Sequence, residues 1–448
     1  MGKRTHHGSL YTNNSFLENT DIKTIAAILA VELGMLLLVM YKGLGNYYLP
    51  VTLILMGFTT LGCAVAFHFH ADRYLLIIVL VLLNLGFMVQ QIQVGKDMQV
   101  KSFLIKFIVA ISVAFAVSFI YKYIASLIAK EFMIMIMIIA QYVICLAMLV
   151  LGKTVGDLSN QGATIMLFGI TPFELVKISY IFIAVGLLCK DEFNDFSIVK
   201  FNIQREIILV IHTAVLSIFF LLCNELGTLL VVYCSGLVLL WIYGKNRKAI
   251  ISLVLFSIIG FAAVWFLCDM VLYPLIASGQ LSVPSVVVKL IKRFGTALHP
   301  ERAISAAGFQ GTLGLEAIAM GEWFGIGTER HRLLLPKATN DFVFANVVQT
   351  CGLMMGFIML LFFFAFLRRG IDIASQCEDI YFQGTAMGIT IVIIVETIIH
   401  IGYNNALFPI TGIPLYFVSQ GFTAIITGMA LVSMLLVVST GNAERSLW

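Results

Sequence analysis

Residues 132–152, FMIMIMIIAQYVICLAMLVLG, carry no charged side chain over a length that takes a helix across hydrocarbon. In lipid only helices and closed barrels satisfy the backbone, and continuous Leu/Ile-rich runs read as helices. Eleven further runs are read in the same way, at about 24–41, 49–69, 74–92, 103–125, 172–189, 205–222, 227–243, 249–273, 342–367, 384–403 and 416–439. Composition agrees. Charged residues make up 12% of the 448-residue chain and apolar residues 60%, with a mean hydropathy of +1.00. A soluble domain carries about 25% charge. The charge or cysteine content of a disordered chain, a disulfide scaffold or a nucleic-acid binder is missing. The expectation is an all-α, polytopic membrane protein of about twelve spans.

Lys and Arg favour the cytoplasmic side of short loops. Placing Lys3, Arg4 and Lys23 inside also puts Arg73, Lys122, Lys130, Lys190, Lys200, Arg205, Lys245, Arg247, Lys248, Arg368, Arg369 and Arg445 inside. Only Lys42, Lys96, Lys101 and Lys153 fall on the opposing short loops. Both termini are then cytoplasmic, and the segment 274–341 lies outside. The first 20 residues are polar and the first apolar run is long enough to span, so no signal peptide is expected. Eight cysteines sit far apart and mainly within spans, as packing residues rather than a zinc cluster or disulfide framework. No internal repeat is evident. The expected organisation is a cytoplasmic tail over 1–23, N-terminal spans over 24–152, and a second membrane region over 153–448 that includes the loop.

A loop of nearly seventy residues between two spans calls for an explanation. After Ser282 and Pro284, the residues Val286, Val287, Leu290, Ile291 and Phe294 form an apolar face with Lys289, Lys292 and Arg293 opposite. This pattern predicts an amphipathic helix at the outer membrane surface. A second, mostly apolar helical stretch follows Gly308-Phe309-Gln310. Asp341 stands at the mouth of the tenth expected span, where low-dielectric walls suit proton abstraction from a hydroxyl. An N-cap role fits the same position. Arg293, Arg302, Arg330, Arg332 and Lys337 give the loop a cationic side that suits either a pyrophosphate or anionic lipid head groups.

Six elements in order resemble the SEDS family (shape, elongation, division and sporulation), which includes RodA, FtsW and SpoVE. Thr171-Pro172-Phe173-Glu174-Leu175-Val176-Lys177 resembles its Gln-Pro-Ser-Glu-Leu-Ala-Lys, and Asn224-Glu225-Leu226-Gly227-Thr228 its Pro-Asp-Leu-Gly-Thr. Gly308-Phe309-Gln310 and Gly325-Ile326-Gly327 resemble its Gly-Tyr-Gln and Gly-x-Gly. Leu335 to Ala345 resembles Leu-Pro-Glu-Ala-His-Thr-Asp-Phe-Ile-Phe-Ala. Leu407 to Phe422 resembles Leu-Pro-x-Thr-Gly-Ile-Pro-Leu-Pro-Phe-x-Ser-Tyr-Gly-Gly.

The resemblance implies a ten-span core preceded here by about two extra spans. It implies an inverting peptidoglycan glycosyltransferase that polymerises lipid II outside the bacterial plasma membrane, with a class B penicillin-binding protein as partner. The family's essential aspartate maps to Asp341. Arg293, Arg302, Arg330, Arg332, Lys337, Gln310 and Ser419 are then the candidate substrate-binding residues. Glu174, Lys177, Glu225 and Thr228 are candidates for a structural polar core. No metal site or cofactor is evident, although a divalent cation, Mg or Mn, fits phosphate chemistry. No nucleic-acid partner is expected; the surrounding partners are membrane lipids.

The chain departs from the family at Thr164-Ile165-Met166, in place of Arg-Arg-Trp, and at Gln349-Thr350, in place of Glu-Glu. Lys337 replaces an acid, Gln420 a tyrosine and Phe422 a glycine. A flippase for lipid-linked precursors and a catalytically degenerate scaffold of a cell-wall synthesis complex are the competing readings. Glu174 and Lys177 share one helix face and suit a local ion pair. Glu32 and Glu396 sit well inside spans without an assignable partner. His68 and His70, two apart, point to different sides and make poor joint metal ligands. His212 and His400 read as polar core residues.

Overall fold

The computed structural model describes residues 19–41, 45–68, 70–94, 100–155, 164–166, 172–189, 196–198, 201–280, 285–297, 299, 307–327 and 333–441. An N-terminal pair, α1 (Asn19–Tyr41) and α2 (Gly45–His68), precedes α3 (Arg73–Val94), α4 (Val100–Ile128) and α5 (Glu131–Leu151). A hairpin of β1 (Lys153–Val155) and β2 (Thr164–Met166) leads to α6 (Phe173–Cys189). A second hairpin, β3 (Phe196–Ile198) with β4 (Phe201–Ile203), leads to α7 (Arg205–Leu222) and α8 (Leu226–Tyr243). α9 (Arg247–Leu267) runs through a π-helical turn at Cys268–Leu272 into α10 (Tyr273–Ala277). Then come α11 (Ser285–Gly295), α12 (Ala307–Gly321), α13 (Val343–Cys351), α14 (Leu353–Gln376), α15 (Ile380–Asn404) and α16 (Phe422–Ser439).

The chain is a multi-pass, almost entirely helical membrane protein, and the two hairpins are its departure from an all-α description. Each expected apolar run contains helix, but the count of twelve spans is not reproduced. Among the described residues, eight helices are long and apolar enough to cross a membrane, and α1, α2, α3 and α6 are not among them. α6 is 17 residues long, and α2 and α3 contribute the shorter apolar stretches Thr52–His68 and Arg73–Val89.

α15 is the centre of the bundle, packed against α6, α8 and α14, and most of its residues are buried. Its glycines admit α6 closely. A methyl group at Gly384 would stand 2.7 Å from Cys189 Sγ, and one at Gly388 would stand 2.7 Å from Ile181 Cγ2. α9 is the opposite case, with Phe256, Ile258 and Ile259 turned outward to lipid. At one end of the bundle Arg369 Nε donates to Asp72 Oδ2 at 2.7 Å, Asp72 N to Ser439 Oγ at 3.2 Å, and Arg73 pairs with Asp21 at 2.7 Å. These contacts join α1, α3, α14 and α16.

Three expectations are corrected. The tenth span was expected to run unbroken over 342–367, but it breaks at Gly352 (φ 90°, ψ 166°) into the buried α13 and the lipid-facing α14. The backbone of Trp323 lies against Gly352, where a Cβ would collide with it. Gly352→Ala is therefore expected to cost at least the ~1–3 kcal/mol of a Gly-only conformation, read as a lowered thermal transition in detergent. The last helix begins at Phe422 rather than 416, because Phe417 adopts φ 69° and the chain stays irregular up to Gly421. The amphipathic helix of the loop is present as α11, but Arg293 does not share the exposed side with Lys292. It is 8% exposed, between Ile291 and Phe294 in sequence and buried like them.

Candidate active site at Asp341

The loop 333–342 is held as a series of tight turns. Lys337 adopts φ 53°, and its carbonyl accepts from Asn340 N at 3.0 Å and Phe342 N at 3.2 Å. Leu335, Ala338, Phe342 and Ala345 pack on Ala317 of α12, which roots the loop in apolar contacts. Gly314 of α12 faces Phe342, with 3.0 Å between a would-be Cβ and the ring. Asp341 follows from this geometry, its side chain 13% exposed at the edge of the bundle.

The C-terminal end of α15 fixes the Asp341 main chain. Tyr403 Oη lies 2.7 Å from Asp341 O and 2.7 Å from Ile413 O, and Asn404 Nδ2 donates to Asp341 O at 3.1 Å. One hydroxyl proton serves one carbonyl at a time, and His400 Nδ1, 2.8 Å from Ile413 O, supplies a donor for that carbonyl. Asn404 Oδ1 accepts from Ala345 N at 3.2 Å, so one amide spans the loop and the start of α13. The irregular segment 405–421 closes the other side. Gln420 N donates to Thr339 O at 2.8 Å, and Ser419 Oγ donates to Asn340 O at 3.1 Å while accepting from Leu415 N at 2.8 Å. Gly412 (φ 73°) stands where a Cβ would lie 3.5 Å from Asp341 Oδ2, which leaves space beside the carboxylate.

The carboxylate does not cap α13. Its Oδ2 takes Lys337 Nζ at 2.8 Å, and the N-cap residue, Phe342, makes no side-chain cap bond. Burial pushes the Asp341 carboxyl above the ordinary aspartate range, while the Lys337 ammonium and the Arg293 guanidinium oppose the rise. Arg293 is itself lowered by burial and supported by Glu225 and Asp341, so this cation sits within electrostatic reach of both carboxylates. Glu225 precedes α8 and makes no side-chain cap bond there. Gly227, two residues on, abuts Ile413, and a Cβ there would stand 3.3 Å from Thr411 Cβ.

Asp341, Lys337, Arg293 and Glu225 thus gather on one side of the bundle, with Ser419 buried and shaping the loop behind Asp341. Thr228 is buried in the first turn of α8. Gln310 is half-buried on α12. Arg302, Arg330 and Arg332 lie outside the described residues. Gly325 and Gly327 (φ 77° and 63°) let the loop after α12 pair with the end of α13, through Ile326 N to Gln349 O at 2.9 Å and Gly327 N to Thr350 O at 3.0 Å. Gln349 and Thr350 are buried and uncharged there. Tyr403 and Asn404 escaped the sequence reading, because their roles are contacts to the Asp341 main chain that no spacing announces.

Deeper in the bundle Lys177 Nζ lies 2.9 Å from Glu174 Oε1 and 2.8 Å from Glu396 Oε2. Tyr416 Oη donates to Glu174 Oε2 at 3.1 Å, and its ring centroid is 5.2 Å from Lys177 Nζ. Glu396 thereby gains its partner. His212 is a satisfied core residue, 2.7 Å from Tyr142 Oη and 2.9 Å from Gln141 Oε1.

Among the described residues no group of three or more His, Cys, Asp or Glu side chains could hold a metal ion. Among the described residues, the Asp341 carboxylate meets the Lys337 ammonium directly and lies within electrostatic reach of Arg293, surroundings that do not suit a divalent ion. Lys337 and Arg293 provide the positive charge there.

These features define a multi-span membrane protein with a shielded carboxylate, Asp341, set beside cations at the edge of its helical bundle. The chain belongs to the cell cycle protein family FtsW/RodA/SpoVE, whose model matches residues 72–444. It is 29% identical over 306 residues to stage V sporulation protein E of Bacillus subtilis (strain 168), covering 66% of this chain and 77% of that one. It is 26% identical over 306 residues to the probable peptidoglycan glycosyltransferase FtsW of Aliivibrio salmonicida, covering 65% and 68%. With the peptidoglycan glycosyltransferase MrdB of Escherichia coli (strain K12) it shares 25% over 303 residues, covering 67% and 76%. Its fold is similar to a chain of a solved peptidoglycan synthase complex (TM-score 0.61, 19% identity, 82% of this chain and 97% of that one). Rod shape determining protein RodA of Thermus thermophilus gives a TM-score of 0.52 at 18% identity, covering 82% and 96%.

Proposed function

We propose that this protein is a peptidoglycan glycosyltransferase that polymerises lipid II at the outer face of the bacterial plasma membrane, with Asp341 as its general base. The placement of Asp341 carries the reading, supported by the relatives named for this activity. Its carboxylate is partly shielded from water, raised in basicity by burial, and bordered by cations suited to a pyrophosphate. The acceptor sugar hydroxyl gives its proton to Asp341 as its oxygen attacks the donor's anomeric carbon. The bond from that carbon to the pyrophosphate breaks, and Arg293 and Lys337 balance the charge on the leaving group. A pyrophosphate leaves without a proton, so no second carboxylate is required.

The asymmetry of Lys and Arg between short loops supports an orientation with both termini in the cytoplasm and Asp341 outside. A class B penicillin-binding protein is the proposed partner, in keeping with the similarity to a chain of a peptidoglycan synthase complex. The test is to reconstitute the purified chain with lipid II, with and without such a partner, and to follow glycan chains and fluorescent-lipid translocation together. Glycan growth supports the reading. Translocation without glycan assigns a flippase, and neither activity in the presence of the partner assigns a scaffold.

The pH dependence has a definite sign. Asp341 must be ionised to accept a proton, so the rate falls as pH drops through its raised pKa. Lys337 opposes that rise, and Lys337→Gln is expected to move the acid limb of kcat/KM toward higher pH. A rate–pH profile of the two proteins checks it; an unmoved limb would dissociate the limb from Asp341.

A further inference from the structure

α1 and α2 lie ahead of the family-matched residues 72–444, and α2 walls a cavity far from Asp341 in sequence and use. The cavity measures about 390 Å³ and is bounded by α2, α3, α4 and α16, a size within the range of small-ligand sites. From α2 it receives the small residues Gly62, Cys63 and Ala66, and from α4 Ala114 and Phe115. The wall is fixed from behind. Thr59 Oγ1 and Asn84 Nδ2 each donate to Glu32 Oε1 at 2.8 Å, so one buried carboxylate ties α1, α2 and α3 together.

Polar groups in the lining are mostly used within the protein. Thr59 donates to Glu32, Ser433 to Met429 O at 2.6 Å, and Thr440 to Val437 O at 2.7 Å. Lys122 is different. Its half-buried ammonium lies 5.7 Å from the Tyr123 ring centroid and makes no ion pair among the described residues. The carboxylates of Asp21 and Asp72, at the same end of the bundle, are occupied by Arg73 and Arg369. An apolar slot with one available cation at its lining has the chemistry of an amphiphile with an anionic head.

We propose that this cavity holds one acyl chain of an anionic phospholipid, with the lipid phosphate on Lys122. The site belongs to this chain's N-terminal pair, since without α2 the slot between α3, α4 and α16 loses a wall. It is independent of the glycosyltransferase reading.

The test is native mass spectrometry of the full chain in detergent with phosphatidylglycerol or phosphatidylcholine of matched acyl chains. Wild type is expected to retain one phosphatidylglycerol with a roughly fivefold preference, the size one lysine gives. Lys122→Gln is expected to bring the two lipids to parity. A Cβ at Gly62 meets nothing within 4 Å, so Gly62→Phe is accepted by the backbone and fills the slot. Its retained lipid is expected to fall to the background seen for annular lipid, at an unchanged thermal transition. Equal retention of the two lipids by wild type overturns the proposal. So does a Gly62→Phe protein that keeps phosphatidylglycerol as wild type does. If Gly62→Phe does not fold, the comparison of wild type with Lys122→Gln decides alone: a preference surviving in Lys122→Gln contradicts the site.

Discussion

Lys177→Met is expected to destabilise the folded chain by about 3–5 kcal/mol, the cost of removing the cation from a buried ion pair. The magnitude follows from what remains. Glu396 is fully buried and Glu174 half-buried, at 0% and 17% exposure, and Lys177 is the cation that serves both. Without it two carboxylates face each other, and the Tyr416 hydroxyl still donates to Glu174. Methionine conserves most of the side-chain volume, so loss of packing contributes little. A paired change, Lys177→Met with Glu396→Gln, is expected to recover much of the loss, because the more deeply buried charge goes with its partner. Thermal unfolding in detergent measures both. A single variant that unfolds at the wild-type temperature would show that this triad is not a structural pin between α6 and α15.

Asp341→Asn is expected to lower the polymerisation rate by roughly 10²–10⁴-fold, the usual contribution of a general base. The amide has nearly the same shape, and the contacts that fix this position are to its main chain, from Tyr403 and Asn404. The fold is therefore expected to persist, with Lys337 released from its ion pair. Such an exposed lysine pair adds little stability, so the thermal transition is expected to move little. The loss should fall on kcat, since Arg293 and Lys337, which are proposed to meet the pyrophosphate, remain.

Much of this was legible in the chain, and the exceptions have physical causes. Lipid makes hydropathy a strong signal, so the apolar runs became helices near their expected places. Hydropathy is blind to a break within an apolar run, which is why 342–367 read as one span although Gly352 divides it. The local pair of Glu174 and Lys177 could be read from its three-residue spacing, whereas Glu396, 219 positions from Lys177, could be paired only by the fold. The pattern of α11 placed Arg293 on the polar side. The protein instead buries it near Glu225 and Asp341, where two carboxylates offset the desolvation. Asp341 itself was ambiguous between cap and base from position alone. The family resemblance selected the base, and the geometry adds that its carboxylate meets Lys337 rather than the helix N-terminus.

The most direct test is the time course of glycan chain formation from purified lipid II by wild-type and Asp341→Asn proteins, each with its penicillin-binding partner and each shown folded by its thermal transition. Chains that lengthen with wild type and stay near background with Asp341→Asn are the predicted result. Chains of equal length and rate from both proteins would contradict Asp341 as the base.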